Sequence, residues 1–234
     1  MWADEFDGPK LDFNKWAVEE NAHGGGNNEL QAFVDRPENV RIENGHLIIE
    51  ARREPFTLAG QTRQFTSGRL RTKHRADWTY CRVEVRAKLP RGRGIWPAIW
   101  MLASTTPLRW PDDGEIDIME QVGFDPGIIH GTIHCKKYNH IIGTQKAATR
   151  QVPDCSDKFH VYSFEWTRDK MTWAIDGKEY YTLPRLEGGY EAWPFDNQMH
   201  LLLNLAVGGN WGGQKGVDES IWPQSLEVDY VRVY

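Results

Sequence analysis

The chain predicts an all-β fold, a sandwich of two packed antiparallel sheets, and three observations carry that prediction. Short apolar runs with a period of two recur along its 234 residues, as strands with one buried face require. Asp7-Gly8, Gly24-Gly25-Gly26 and Asn44-Gly45 punctuate them, and these are residues that favour tight turns. No stretch sustains a helical period for even about ten residues, which excludes the helical and α/β classes.

In chain order, His46-Leu-Ile-Ile-Glu-Ala51 and Gly68-Arg-Leu-Arg-Thr72 read as strands. Cys81 to Leu89 alternates apolar and charged side chains, so one face of that strand is wet. In Gly94-Ile-Trp-Pro-Ala-Ile-Trp-Met101 the even spacing puts Trp96 and Trp100 on one face of a strand-like run. Met171 to Ile175 and Lys178 to Thr182 flank Asp176-Gly177, a dipeptide suited to a type I′ hairpin. Leu201 to Val207 and Ser225 to Tyr234 supply two more strands. No repeat or linker interrupts the series, so residues 1–234 are expected to form one domain.

A net charge of −5 and the lack of a Lys- or Arg-rich run argue against a nucleic-acid partner. No apolar run reaches membrane-spanning length. Cys81, Cys135 and Cys155 form neither a disulfide framework nor a metal finger. Cys81 is expected to pack as a small buried apolar residue, while Cys135 and Cys155 could bridge a loop in an oxidising compartment. Eleven Trp residues are many for one domain. About half should fill the core, and the flat faces of the others suit stacking on sugar rings.

Chemistry concentrates in Asp113-Gly-Glu115-Ile-Asp117-Ile-Met-Glu120. The β-branched Ile116 and Ile118 favour extended backbone, and on a helix the three acids would spread around the cylinder. On a regular strand Glu115 and Asp117 share a face and Glu120 points away. A β-bulge at Ile118-Met119 adds one residue and returns Glu120 to the acidic face. The two glutamates would then stand roughly 13 Å apart at Cα, with carboxyl groups able to lean to about 5–6 Å, as a retaining glycosidase needs. The competing reading is an edge strand charged against aggregation, but like charges on one face repel unless something uses them.

Glu115-Ile-Asp117-Ile-Met119-Glu120, preceded by Gly94-Ile-Trp96-Pro-Ala-Ile-Trp100-Met and followed by Gly131-Thr-Ile-His134, resembles glycoside hydrolase family 16. Within it the chain is most similar to the bacterial laminarinases, because Met119 gives the longer, bulged form of the acidic motif. The resemblance runs from Asp4-Glu5-Phe6 to Val228-Asp229-Tyr-Val-Arg-Val233. It implies a jelly-roll β-sandwich whose concave sheet forms an open cleft, and endo-acting, retaining cleavage of β-1,3-glucans. It also implies Glu115 as nucleophile, Glu120 as general acid and base, and Asp117 between them as a charge that keeps a proton on Glu120.

For substrate contacts the resemblance points to Trp96 and Trp100 as a sugar platform, to His134 beside the acids, and to Arg69 and Asn28 on the non-reducing side. Asn27 and Asn28 read equally well as turn formers. Trp211, in a Gly-rich loop, is expected to line the cleft. The loops Thr105 to Pro111 and Lys136 to Gln151 flank the acidic strand and should set linkage preference. Catalysis is expected to need no cofactor, whereas a structural calcium is expected at Glu5, the Gly45 carbonyl and Asp229. The expected partner is a β-glucan polysaccharide met by a monomer outside the cell, with an export leader that Met1-Trp2-Ala3-Asp4-Glu5 does not contain. The same chemistry on mixed-linkage glucan or a marine galactan is the nearer rival, and a non-catalytic glucan-binding module the more distant one.

Overall fold

In the computed structural model, which describes residues 1–234, the alternating runs become strands that bury one face each. The first nine are β1 (Trp2–Asp4), β2 (Ala17–Val18), β3 (Gln31–Phe33), β4 (Val40–Glu43), β5 (His46–Leu58), β6 (Gln61–Ser67), β7 (Arg69–Arg71), β8 (Cys81–Lys88) and β9 (Ile95–Ala103). The rest are β10 (Glu115–Glu120), β11 (Ile128–His134), β12 (Lys146–Gln151), β13 (His160–Trp166), β14 (Lys170–Ile175), β15 (Lys178–Pro184), β16 (Met199–Val207) and β17 (Gln224–Val233). Their helical content is a single 3-10 turn, His140–Ile142.

Ten strands form one sheet in the order β15-β14-β13-β8-β17-β5-β6-β3, with β1 on β17 and β4 on β5. The other seven run β12-β11-β10-β9-β16-β7-β2. Between the sheets lies one core of 43 buried residues, large enough for the apolar faces of both layers to supply the main driving force. The alternation read in Cys81 to Leu89 holds, with Cys81, Val83, Val85 and Ala87 buried in β8 and their neighbours wetter. Asp176 and Gly177 take φ of 51° and 73°, the left-handed pair that a type I′ turn needs between β14 and β15.

Three expectations change. The sheets are not wholly antiparallel, because β3 pairs with β6 in parallel; two intervening strands give the chain length for the crossover that such pairing needs. Lys136 to Gln151 is not all loop, since its last six residues form the edge strand β12. Cys135 and Cys155 do not bridge. All three cysteines are free and buried, and the Cys135 thiol donates to the Ala192 carbonyl while Cys155 Sγ faces Ser156 Oγ. Cys81 packs as expected, and burial pushes its thiol up to about 12.

The acidic strand sits third from the edge of the seven-stranded sheet, and its pairing breaks where the bulge was predicted. Against β9, Asp117 pairs with Trp100 but Met119 pairs with the next residue, Ile99, so Ile118 is extra. Against β11, the two residues Ile118 and Met119 oppose Gly131 alone, and Glu120 pairs with His130. Ile118 and Met119 are 2% and 0% exposed and both join the core. Burying two successive side chains on one side is what turns Glu120 back to the other.

Gly131 makes room for this arrangement. A Cβ there would stand 2.7 Å from Trp173 Cδ1 and 2.6 Å from the Tyr180 hydroxyl, while Trp173 Nε1 donates to the Asp117 carbonyl across 2.9 Å. That bond satisfies a carbonyl at the disrupted ladder, which would otherwise be a costly buried orphan. Gly131→Ala should therefore lose about 1–3 kcal/mol of stability by overpacking, together with much of its activity. Thermal unfolding and kcat/KM on one preparation check this, and an unchanged variant would refute the role given to Gly131.

Candidate active site

The bulge brings Glu115, Asp117 and Glu120 to the outer face of the sheet, where they line a cleft of about 430 Å³. Each glutamate accepts an indole N–H. Trp110 Nε1 lies 2.9 Å from Glu115 Oε2, and Trp96 Nε1 lies 2.9 Å from Glu120 Oε1. Asp117 is 2% exposed. His134 stands opposite Glu115 on β11, with Nε2 3.3 Å from Asp117 Oδ2 and 3.8 Å from Glu115 Oε1. Ligand-type atoms of Glu115, Asp117 and His134 all fall within 4.8 Å of one another, so three functional groups face one point.

From β10 the cleft extends across β9, β16 and β7. Trp96 and Trp100 both lie on its floor, as their even spacing predicted. Trp100 is fixed by its N–H to Asn204 Oδ1, 2.7 Å away, and Arg69 carries its guanidinium 4.8 Å from the Trp100 ring, a cation–π geometry. Arg69 also pairs with Glu19 at 3.1 Å. On the other side of β10 the wall is Leu108, Trp110, His140 and Ile141.

Two predicted contacts are placed differently. Asn28 is exposed, with a left-handed φ of 56°, and bonds Asn210 Oδ1 at 2.9 Å; Asn27 and Asn210 line the cleft instead. The Asn28 amide is thereby committed to Asn210, itself a lining residue. Trp211 is not on the lining. Its ring stands edge-on to Trp96 at 5.4 Å and to His130 at 4.9 Å, so it braces the indole that holds Glu120.

Glycosyl hydrolases family 16 matches residues 27–232 by its family model. The chain belongs to that family. A beta-glucanase of Rhodothermus marinus is 51% identical over 244 residues, covering 100% of this chain and 84% of the relative. The solved structure of the laminarinase from Rhodothermus marinus aligns with a TM-score of 0.95 at 50% identity, covering 100% of this chain and 96% of that one. The structure of SCLam, a non-specific endo-beta-1,3(4)-glucanase of the same family, aligns with a TM-score of 0.94 at 50% identity, covering 99% and 89%.

In this family 16 site, burial and mutual repulsion dictate the charge state. Burial, and then the Asp117 charge, push Glu120 up to about 8. Burial lifts Asp117 to the same level, and burial with Asp117 does so for Glu115. Three carboxylates this close cannot all ionise. Glu115 is better placed than Asp117 to carry a negative charge, because its side chain keeps 16% exposure against 3% and it accepts the Trp110 N–H.

Trp110 was absent from the residues singled out by sequence, although the flanking segment 105–111 contains it; nothing periodic in a loop shows that an indole folds back onto a strand. Asn204 carried a usable signal, being a lone amide in an otherwise apolar run that is buried along its whole length. Glu29, buried at 6% and on the cleft lining, followed the Asn pair without attracting attention.

These raised values have a fixed sign for stability. Between the ordinary carboxyl range and about pH 8 the folded state holds protons that the unfolded chain has released, so stability falls as pH rises through that window. Asp117→Asn should raise Tm at pH 7 to 8, by roughly 2–4 °C for each kcal/mol relieved, with no gain at pH 3.5. It should also make Glu120 a stronger acid, moving the alkaline limb of kcat/KM to lower pH. Melting curves and pH–rate profiles of the variant check both; an alkaline limb that stays in place would refute the coupling.

Proposed function

We propose that the chain is an endo-acting, retaining hydrolase that cleaves internal β-1,3-glucosidic bonds of laminarin-type glucans by double displacement. The observation that carries this reading is the pair of glutamates on one bulged strand, both facing an open cleft and each held by its own indole. In the first step a Glu115 oxygen bonds to the anomeric carbon as the glycosidic C–O bond breaks, and Glu120 gives its proton to the departing oxygen. The Glu115 ester is neutral, so one of the charges holding the proton on Glu120 has gone. Glu120 now takes a proton from water, the water oxygen bonds to the anomeric carbon, and the ester C–O bond breaks to restore Glu115. His134 keeps Asp117 company electrostatically, and Trp96 and Trp100 offer flat apolar faces to the sugar.

Similarity to a laminarinase and to a non-specific endo-beta-1,3(4)-glucanase supports β-glucan as the polymer and keeps mixed-linkage β-1,3-1,4-glucan as the second reading. An open cleft suits attack within a chain. Both glutamates are in place, which counts against a non-catalytic binding module. Catalysis uses side chains alone.

Export from the cell belongs to the same proposal, because a glucan polymer does not cross a membrane. A structural calcium is the remaining element. Strand register brings its three expected ligands to one corner of the ten-stranded sheet: Asp4 pairs with Val231, and Leu47 with Val228. Against it, Glu5 already accepts from Arg232 at 2.9 and 2.8 Å. Asp229 accepts from Arg86 at 2.5 Å and faces His46 at 3.5 Å. A calcium ion needs uncommitted oxygens, so binding there has to displace guanidinium groups. The expected result of calcium addition or chelation is a shift in Tm with kcat/KM unchanged, and no shift would dismiss the site.

Laminarin, lichenan, agarose and carrageenan offered in parallel should give new reducing ends chiefly from laminarin, with early products of many lengths. Glu115→Ala should remain folded and almost inert, and azide should restore turnover by forming the glycosyl azide of inverted configuration. Proton NMR of the first product should show the β-anomer from the wild-type protein. The α-anomer, or substantial hydrolysis by Glu115→Ala without azide, would defeat the assignment.

A further inference from the structure

Asp113 is a charged side chain only 1% exposed, two residues before Glu115, and the double-displacement chemistry gives it no task. Its carboxylate is nevertheless heavily engaged. Oδ2 accepts the Arg109 backbone N–H at 2.8 Å and Thr105 Oγ1 at 3.2 Å. Oδ1 accepts Arg109 Nη2 at 2.7 Å and the Tyr190 hydroxyl at 2.9 Å. The Asp113 N–H in turn donates to the Arg109 carbonyl at 2.9 Å. These reciprocal bonds close residues 109 to 113 into one turn, and Trp110 is inside it.

The turn is pinned where it leads into the acidic strand. Gly114, at φ 91°, leads from it into the acidic strand, and a Cβ there would stand 2.9 Å from Pro194 Cγ and from Phe195 Cε1. Tyr190 is itself held by Asn197 Nδ2 at 3.0 Å, so the opposite loop braces the turn. Trp110 lies tilted beside His140, ring centres 5.2 Å apart, and delivers its N–H to Glu115. That N–H is the only one within hydrogen-bonding distance of Glu115. The other groups facing this carboxylate are Asp117 and Glu120, both acidic, and His134 at 3.8 Å.

We propose that Asp113 is a positioning residue for the reaction: by closing the 109–113 turn, and through Tyr190 tying it to the opposite loop, it holds the Trp110 indole N–H on the Glu115 carboxylate. The loops on this side of the cleft are then more than a wall. They set the orientation and ionisation of the attacking group through one indole.

This rests on Glu115 being the nucleophile, and a double-mutant cycle separates the two ideas. Trp110→Phe keeps an aromatic ring and removes the N–H, while Asp113→Asn keeps the shape and weakens the latch. Each single variant should lose about 10- to 100-fold in kcat with KM within about threefold. In each, the acid limb of the pH profile should move to higher pH, because a carboxylate without its donor ionises less readily. The double variant should fall no more than about twofold below Trp110→Phe. Equal losses from Asp113→Asn in both backgrounds, or a lowered Tm with kcat untouched, would overturn the latch. Should Asp113→Asn fail to fold, Tyr190→Phe removes one donor and leaves the Arg109 bonds. Its expected loss of about two- to fivefold should vanish in the Trp110→Phe background, and persistence there would overturn the proposal equally. If azide rescues Glu115→Ala while the cycle proves additive, the latch falls and the nucleophile stands.

Discussion

Burying Ile118 and Met119 in succession is the constraint on which the rest of the molecule depends. A regular strand sends alternate side chains to opposite faces, so a core that takes two neighbours must break the ladder. The break frees a backbone carbonyl and opens a gap opposite one residue of β11. Trp173 donates to the carbonyl at Asp117, and Gly131 leaves that indole space to approach. Hydrophobic burial on the inner side of β10 thus decides which carboxylates meet on its outer side. Packing and chemistry are two faces of one six-residue strand.

Gathering the acids opposes stability. Desolvation penalises each charge and repulsion penalises every second one, so folding tolerates the triad only in a partly protonated state. That same state serves the reaction, which begins with one carboxylate charged and another holding a proton. The indoles of Trp96 and Trp110 supply neutral donors that fix the two oxygens without cancelling the difference between them. A lysine or arginine in either place would pull its partner down into the ordinary ionised range, as Arg109 and the neighbouring hydroxyls do for Asp113, held at about 2 despite its burial. The reaction needs the first kind of environment at Glu120, and the turn needs the second at Asp113.

Features with a period were legible in the sequence. The bulge followed from two adjacent apolar residues set between three acids. The shared cleft face of Trp96 and Trp100 followed from their even spacing, and the hairpin at Asp176-Gly177 from its dipeptide. Of the eleven Trp residues, Trp16, Trp166, Trp173 and Trp193 sit in the core, with Trp2, Trp78 and Trp222 packed against it. That leaves Trp96, Trp100, Trp110 and Trp211 at the cleft. What the sequence hid lay in loops, where neither face nor partner has a period. Asn27 lines the cleft, while its neighbour Asn28, with a left-handed backbone, bonds Asn210. Trp211 buttresses where lining was expected, because His130 and Trp96 flank its ring. The parallel pairing of β3 with β6, and the arginines on Glu5 and Asp229, depend on long-range register that no local pattern reports.

The two sides of the cleft differ in a way that bears on how the polymer is read. Across β9, β16 and β7 the lining includes Asn27, Glu29, Arg69, Asn204 and Asn210 beside the platform. Across the other side it is Leu108, Trp110, His140 and Ile141. Buried polar groups that lose their hydroxyl partners are left unsatisfied, so a lining of amides and charges rejects a wrong sugar far more strongly than an apolar one can. Apolar and aromatic walls still gain from covering the C–H face of any pyranose, with little regard for its linkage. On the amide-bearing side, Asn204 and Arg69 are held by Trp100 and Glu19. The apolar side, carried on the turn that Asp113 closes, contributes the orientation of Glu115. Division of labour between recognition and attack follows from which loops the sheet places on either flank of β10.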